Sequence, residues 1–203
     1  MALPSTMPSS GLSIRSDLDA HAVHALPSLT ALLKNQAIKY DISVIRDCTP
    51  QDAVQICTIY NHYVRETTIT FEESPVAATE MASRIDGVIS HHPWLVWETN
   101  AGILGYAYAT PWKSRAAYRH SVEASVYLSP QAIGQGLGTQ LYAALIAGLR
   151  RRGFHCVIGG AALPNPGSVA LHEKLGFTKV AEFQEVGFKF GHWINVAYWE
   201  LVL

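Results

Sequence analysis

With 203 residues, 49% of them hydrophobic, the chain is long enough to bury the core of one domain and too apolar to be disordered throughout. Fifteen basic residues against sixteen acidic ones leave a net charge of -1, which gives no sequence-wide basic field of the kind that holds nucleic acid. No apolar run approaches the roughly 18 residues a membrane span needs, and the start lacks a basic region followed by an apolar core, so a soluble, cytoplasmic protein is expected.

Residues 1–40 hold Pro4, Pro8, Ser9, Ser10 and Gly11, then LPSLTALLKN, which could make a short helix. A mostly disordered N-terminal extension is expected there, ahead of one domain over residues 41–203. Ile42 to Arg46 reads as the first strand. Thr49-Pro50-Gln51-Asp52 then opens a helix, with threonine at the N-cap, proline at the first helical position and an early acid. Ala53, Cys57, Tyr60 and Val64 make its buried stripe. Ser74-Pro75 is expected to cap a second helix, in which Met81, Ile85 and Ile89 recur every four residues. His91-His92 reads as solvated, because adjacent histidines rarely converge on one metal and no partner ligands stand at suitable spacing; no metal site is expected. Trp94 to Glu98 and Ile103 to Thr110 read as antiparallel strands joined by Asn100-Ala101-Gly102. Cys48, Cys57 and Cys156 are an odd number without metal-ligand spacing and fit small buried hydrophobes in a reducing cytosol.

Pro111-Trp112-Lys113-Ser114-Arg115 carries two cations separated by one residue, either a solvated loop or a site for an anion. From Val122 to Leu128 a strand places Val122, Ala124, Val126 and Leu128 on one face and Glu123, Ser125 and Tyr127 on the other. Ser129-Pro130 ends it, because proline has no N–H for the ladder. Gly134, Gly136 and Gly138 follow, and Leu137, Leu141, Leu145 and Leu149 then mark one stripe of a helix. Glycines at a helix N-terminus suit an anion, since unpaired N–H groups and the positive dipole end point at it. A P-loop would need Gly-Lys-Ser/Thr, and the chain has Gly138-Thr139; the dinucleotide pattern G-x-G-x-x-G is not met by G-x-G-x-G. Arg150-Arg151-Arg152-Gly153 ends the helix with cations and a C-cap glycine, and His155 to Ile158 reads as a buried strand. Near the end, Val196, Tyr198, Glu200 and Val202 alternate with Ala197, Trp199, Leu201 and Leu203. Both faces of this last strand carry large apolar groups, which suggests cover by a second copy and hence a homodimer.

Ile133-Gly134-Gln135-Gly136-Leu137-Gly138 resembles the acetyl-CoA pyrophosphate loop of the GNAT superfamily of N-acetyltransferases. PWKSRAAYRHSVEASVYLSP, NPGSVALHEKLGF and GFKFGHWINVAYWEL resemble its phosphinothricin N-acetyltransferase branch, and the likeness runs from about Ile42 to the C-terminus. Ile133 departs from the pattern, standing where Gln or Arg is usual, so weaker CoA binding is expected.

The resemblance implies an α/β chain of the α+β type, with a mixed, mostly antiparallel sheet flanked by helices. It implies acetyl-CoA as co-substrate, no metal, and a small amino-acid-like acceptor. CoA would lie along Val126, Tyr127 and Leu128, against the turn of Gly134, Gln135, Gly136, Leu137, Gly138 and Thr139, and beside Asn165 and Ser168. Glu123 would be the general base and His172 would protonate the leaving thiolate or orient a water, with histidine standing where many other GNAT enzymes carry tyrosine. Phe71, Lys113, Arg115 and Tyr118, with Glu123, would border the acceptor. Plainer roles stand beside these: an ion pair of Glu123 with a loop arginine, a satisfied structural histidine, and Asn165 as a helix cap. A CoA-binding sensor that has lost turnover, or an enzyme acting on peptide or protein amines, are the alternative functions.

Overall fold

The computed structural model describes residues 43–203. The expected extension, with its short helix in LPSLTALLKN, lies outside the described residues, as does Ile42.

Seven strands form one sheet in the order β1-β2-β3-β4-β5-β7-β6. They are β1 Ser43–Asp47, β2 Trp94–Thr99, β3 Gly102–Pro111, β4 Ser121–Leu128, β5 Cys156–Ala162, β6 Thr178–Lys189 and β7 His192–Val202. Every neighbouring pair is antiparallel except β4 and β5, which run parallel. Helices cover both faces: α1 Ala53–Glu66 and α2 Ala78–Ile89 on one, α3 Leu137–Arg151 and α4 Pro166–Lys174 on the other.

Alternation along the strands divides the core in two. Trp94, Val96 and Tyr106 pack with Ile56, Tyr60, Val64 and Ile85 of α1 and α2. Ala107, Ala109, Val122 and Ala124 pack on the opposite face with Leu141, Leu145 and Leu149 of α3. These three leucines are fully buried, as their four-residue spacing predicts, and burying each contributes about 1.5–3 kcal/mol. The small alanines of β3 and β4 let α3 approach the sheet closely.

Thr49 caps the first helical turn, with Pro50 at its first position as the sequence predicts, whereas the second helix starts later than expected. Pro50 opens a short 3-10 turn, Pro50–Asp52, and the α-helix begins at Ala53; the Asp52 carboxylate accepts from the Thr49 N–H at 2.9 Å. The second helix is not capped by Ser74-Pro75 but starts at Ala78, with Ala77 at the N-cap. The cause lies in α1: the Asn61 side-chain amide donates to the Val76 carbonyl at 2.9 Å and accepts from its N–H at 2.8 Å. This pair occupies both main-chain groups of Val76 and delays the helix.

One feature of the sheet positions the site. The parallel pairing of β4 with β5 covers only Ser121–Glu123 against Cys156–Ile158. Beyond it β4 runs on to Leu128 beside β3, while β5 runs on to Ala162 beside β7. The sheet therefore splits past Glu123.

Candidate active site

The split opens into a cavity of about 480 Å³. β4 from Ala124 to Leu128 forms one wall and Gly160 and Ala161 of β5 the other; Ile133, Gly134, Gly136, Gly138 and Thr139 close one end, and Asn165, Ser168 and His172 of the α4 region close the next. Pro130 starts the closing loop with a 3-10 turn, and Ala132 is buried with Leu104 and Leu137, which anchors the loop to the sheet. Gly134 and Gly136 take left-handed φ values of 81° and 79°, which a side chain would strain. Gly136 is the N-cap of α3, so the first N–H groups of the helix have no intrahelical acceptor and stand at the cavity rim. Gly138 has a different reason: a methyl there would lie 3.3 Å from Leu128 Cδ1. Its absence lets helix and strand pack.

Other loop residues divide by what remains free. The Leu137 side chain is in the core, leaving only its main-chain N–H for a ligand. Gln135 does not line the cavity; its Nε2 donates back to the Gln131 carbonyl at 2.6 Å. Ile133 is exposed at the rim.

Glu123 occupies the last paired position before the split, opposite Ile158. Burial pushes its carboxyl above the usual carboxylate range, and the positive charge of Lys113 pulls the other way. Among the described residues it makes no ion pair, so the arginine partner weighed as an alternative is not realised. Gly160 gives the carboxylate room, since a methyl there would be 3.4 Å from Glu123 Oε1 and 3.1 Å from the Tyr198 ring. Trp112 meets the Tyr198 ring edge-on at 5.7 Å, and Lys113 Nζ lies 4.3 Å over Trp112. One cation and two aromatic rings thus share the surroundings of the acid. Arg115 and Tyr118 stand further out, exposed on the turn Ala116–Tyr118 that Arg115 caps. Phe71, 42% exposed, rests on the backbone of Gly187 in β6.

His172 is 3% exposed on α4. Its Nδ1 lies 2.8 Å from the Ser168 carbonyl, which can only accept, so Nδ1 carries the proton. Nε2 is then left to accept from the Tyr142 hydroxyl at 3.3 Å. Burial lowers the His172 pKa and so favours the neutral ring, while the Ser168 bond opposes this; the ring also stacks on Trp199 at 5.5 Å. Tyr142, on α3, lines the cavity, and burial first and the Glu123 charge second push its phenol pKa up. Asn165 caps α4, accepting from the Ser168 N–H at 3.1 Å. Tyr63 of α1 donates to the Leu128 carbonyl at 2.6 Å, closing the far end of the wall. Neither Tyr63 nor Tyr142 stands out in the sequence, although Tyr142 is a tyrosine set among the aliphatic residues of its helix.

A GNAT acetyltransferase domain matches residues 45–197. The chain belongs to the GNAT acetyltransferase family. It is 42% identical over 156 residues to the phosphinothricin N-acetyltransferase of Alcaligenes faecalis, covering 76% of this chain and 78% of that protein. It is 36% identical over 160 residues to the L-methionine sulfoximine/L-methionine sulfone acetyltransferase of Salmonella typhimurium, covering 78% of this chain and 94% of that protein. Among solved structures, a GNAT superfamily phosphinothricin acetyltransferase from Sinorhizobium meliloti in complex with acetyl-CoA superposes with a TM-score of 0.76 at 36% identity, over 79% of this chain and 88% of that one. This GNAT protein is accordingly an acetyl-CoA-dependent N-acetyltransferase with the fold its motifs imply.

Within the GNAT domain the expected residues fall into two groups. Val126, Tyr127, Leu128, Gly134, Gly136, Gly138, Thr139, Asn165, Ser168 and His172 converge on the cavity. Glu123, Lys113, Arg115, Tyr118 and Phe71, like the Gln135 and Leu137 side chains, lie outside its lining, with Glu123 and Lys113 close enough to interact electrostatically. Among the described residues no group of three or more His, Cys, Asp or Glu is placed to hold a metal ion, and no helix is long and apolar enough to cross a membrane.

Proposed function

We propose that this acetyltransferase modifies the α-amino group of a small amino-acid-like acceptor of the phosphinothricin, methionine sulfoximine or methionine sulfone type, with Glu123 as general base. The observation that carries the reading is the split between β4 and β5: a cavity under a left-handed glycine turn on one side, and at its apex a half-buried carboxylate with no ion-pair partner among the described residues. The names of the two relatives supply the acceptor class.

At neutral pH an amino-acid amine is mostly ammonium and cannot attack a carbonyl. Glu123 takes its proton, directly or through a water, and its raised pKa brings it closer to the task. Acetyl-CoA supplies the thioester: the amine nitrogen bonds to the acetyl carbon as the carbon–sulfur bond breaks and sulfur leaves with the electron pair. The free main-chain edge of β4 near Val126 faces that carbonyl, and Gly134 to Thr139 hold the diphosphate through N–H groups. For the departing sulfur, the geometry favours Tyr142 over His172 as direct proton donor. Its phenol is held protonated and borders the cavity, and its 3.3 Å bond to His172 Nε2 is long enough to give up when the hydroxyl turns toward sulfur, whereas the Nδ1 proton of His172 is held by the Ser168 carbonyl at 2.8 Å. His172 positions the Tyr142 hydroxyl. Lys113 and Arg115 hold the acceptor's carboxylate or phosphinate, Arg115 by the geometric match of its guanidinium to such oxygens, with Tyr118 and Phe71 as walls.

The domain is taken as residues 41–203, working as a homodimer. Its three buried free thiols suit a reducing compartment, and we assign it to the cytoplasm. The test is CoA thiol release across free amino-acid analogues and short peptides. Turnover on methionine sulfone or phosphinothricin is expected; turnover on peptides alone would replace the acceptor class, and binding of acetyl-CoA without any turnover would make the protein a sensor.

A further inference from the structure

Lys189, the last residue of β6, is 2% exposed, yet it neither lines the cavity nor forms an ion pair among the described residues. Its ammonium donates to the Thr70 carbonyl at 2.7 Å and lies 4.9 Å over the Phe190 ring. An amine buried to this degree is costly unless its charge is compensated, and an apolar side chain would serve packing alone as well. What the lysine holds is the segment between α1 and α2, residues 67–77, which contains no strand or helix of its own and is fixed by side chains.

The ties converge on Thr70 and Phe71. The Thr70 hydroxyl shares a 2.7 Å hydrogen bond with Tyr60, whose ring meets Tyr127 of β4 edge-on at 5.2 Å. Tyr127 lies on the same face of β4 as Glu123, four residues along. One residue on from Thr70, the Phe71 ring sits where a side chain on Gly187 would have to go. Gly187 and Lys189 are two apart on β6 and are both buried, so one face of one strand carries both contacts. At the other end, Glu72 is paired with Arg84 of α2 at 2.7 Å.

We infer that Gly187 and Lys189 form a seat on β6 that sets the position of Thr70 and Phe71, and that Lys189 is a positioning residue for acceptor recognition although it touches no substrate. The inference rests on the acceptor-side reading of Phe71 given above. The seat explains both unusual choices: glycine where the aromatic ring must lie flat on the backbone, and a long donor that reaches a loop carbonyl 119 positions away in the chain.

The test uses the full chain with K189M, G187A, F71A and the double variant G187A/F71A. In K189M the affinity for acetyl-CoA by calorimetry stays within about twofold, while KM for the acceptor rises about tenfold or more. A protease that cuts after glutamate should cleave K189M faster than wild type at Glu72 and Glu73. G187A should raise acceptor KM alone, and G187A/F71A should match F71A, because the ring supplies the closest atoms the added methyl would meet. Wild-type acceptor KM and wild-type cleavage in K189M would overturn the inference, as would equal losses for both substrates. Should K189M fail to fold, additive effects of G187A and F71A would overturn it and non-additive effects would sustain it. The split is read on whichever amine the wild type accepts, and the cleavage assay needs none, so a wrong acceptor class is told apart from a wrong seat.

Discussion

Glu123 pits stability against activity at a single carboxylate. Its folded pKa lies above its unfolded value because burial disfavours the charge, so the native state binds that proton more tightly than the unfolded chain does. The resulting destabilisation is absent below the unfolded pKa and fully present once pH has risen through the folded one. Replacing the acid by its neutral isostere should therefore raise the melting temperature at pH 7, with the gain disappearing near pH 4. The same change, E123Q, should lower kcat about a hundredfold or more at neutral pH, as loss of a general base does. Wild-type kcat/KM should rise with pH through the elevated Glu123 value, and E123Q should lose that limb in a pH–rate profile. Turnover near wild type in E123Q would remove the residue from the chemistry. Tyr142 is tested separately. Y142F should lower kcat about tenfold or more while leaving acetyl-CoA affinity intact, whereas a purely structural tyrosine would weaken both together. His172 gives the opposite pH sign. Its folded pKa is depressed, so its contribution is fully present above the unfolded value of about 6.5 and is lost as pH falls through the folded one.

At the scale of elements, the strand–turn–helix from Ser121 to Arg151 is where local sequence and site coincide. Alternation along β4, proline at its end and leucines every four residues in α3 are local signals, and the structure follows each of them. The glycines were legible as a helix N-terminus, but their separate duties were not. Gly134 and Gly136 supply left-handed backbone, and Gly138 supplies contact with Leu128, a strand residue whose approach no periodicity describes. This predicts unequal effects. G136A forces an L side chain into φ near 79°, at about 1–2 kcal/mol, and acetyl-CoA must drive the loop back into that shape, so its Kd should rise about fivefold or more by calorimetry. G138A meets only a movable leucine tip and should change Kd less; equal effects would mean that the loop conformation does not set affinity. What stayed hidden was tertiary. The short β4–β5 pairing cannot be read from either strand, because alternation gives a face and not a neighbour. The late start of α2 depends on Asn61, 15 positions before the Val76 it binds. Tyr142 sat beside Leu141 in a stripe that reads as core, and its link to His172 spans 30 residues.

For the molecule as a whole, the question is what covers the β6–β7 end. β6 is an edge strand, but its register slips between Phe183 and Gly187, Glu185 takes φ 53°, and Asn195 accepts from the Glu185 N–H at 2.9 Å to hold the bulge. A bulged edge bearing Lys179, Glu182 and Glu185 is poorly suited to strand-to-strand pairing with another copy. The apolar surface nearby is different in kind. Phe188, Phe190 and Trp193 are exposed around the hairpin, Trp193 to 63%, and the Phe188 and Trp193 rings lie 4.8 Å apart. Exposed aromatics grouped in this way mark an association surface more often than a solvated one, and a patch meeting its own copy about a two-fold axis closes without leaving a free surface for growth. The homodimer proposed above is therefore expected to form through these side chains. Sedimentation equilibrium at about 10 µM should give twice the 22.2 kDa of one chain, since an interface of about 800 Å² per partner can hold a dimer at that concentration. F188D/W193D should shift the mass to that of one chain while acetyl-CoA binding persists, because neither residue lines the cavity. A wild type that sediments as a single chain would remove the dimer, and a double variant that remains dimeric would move the interface to another face.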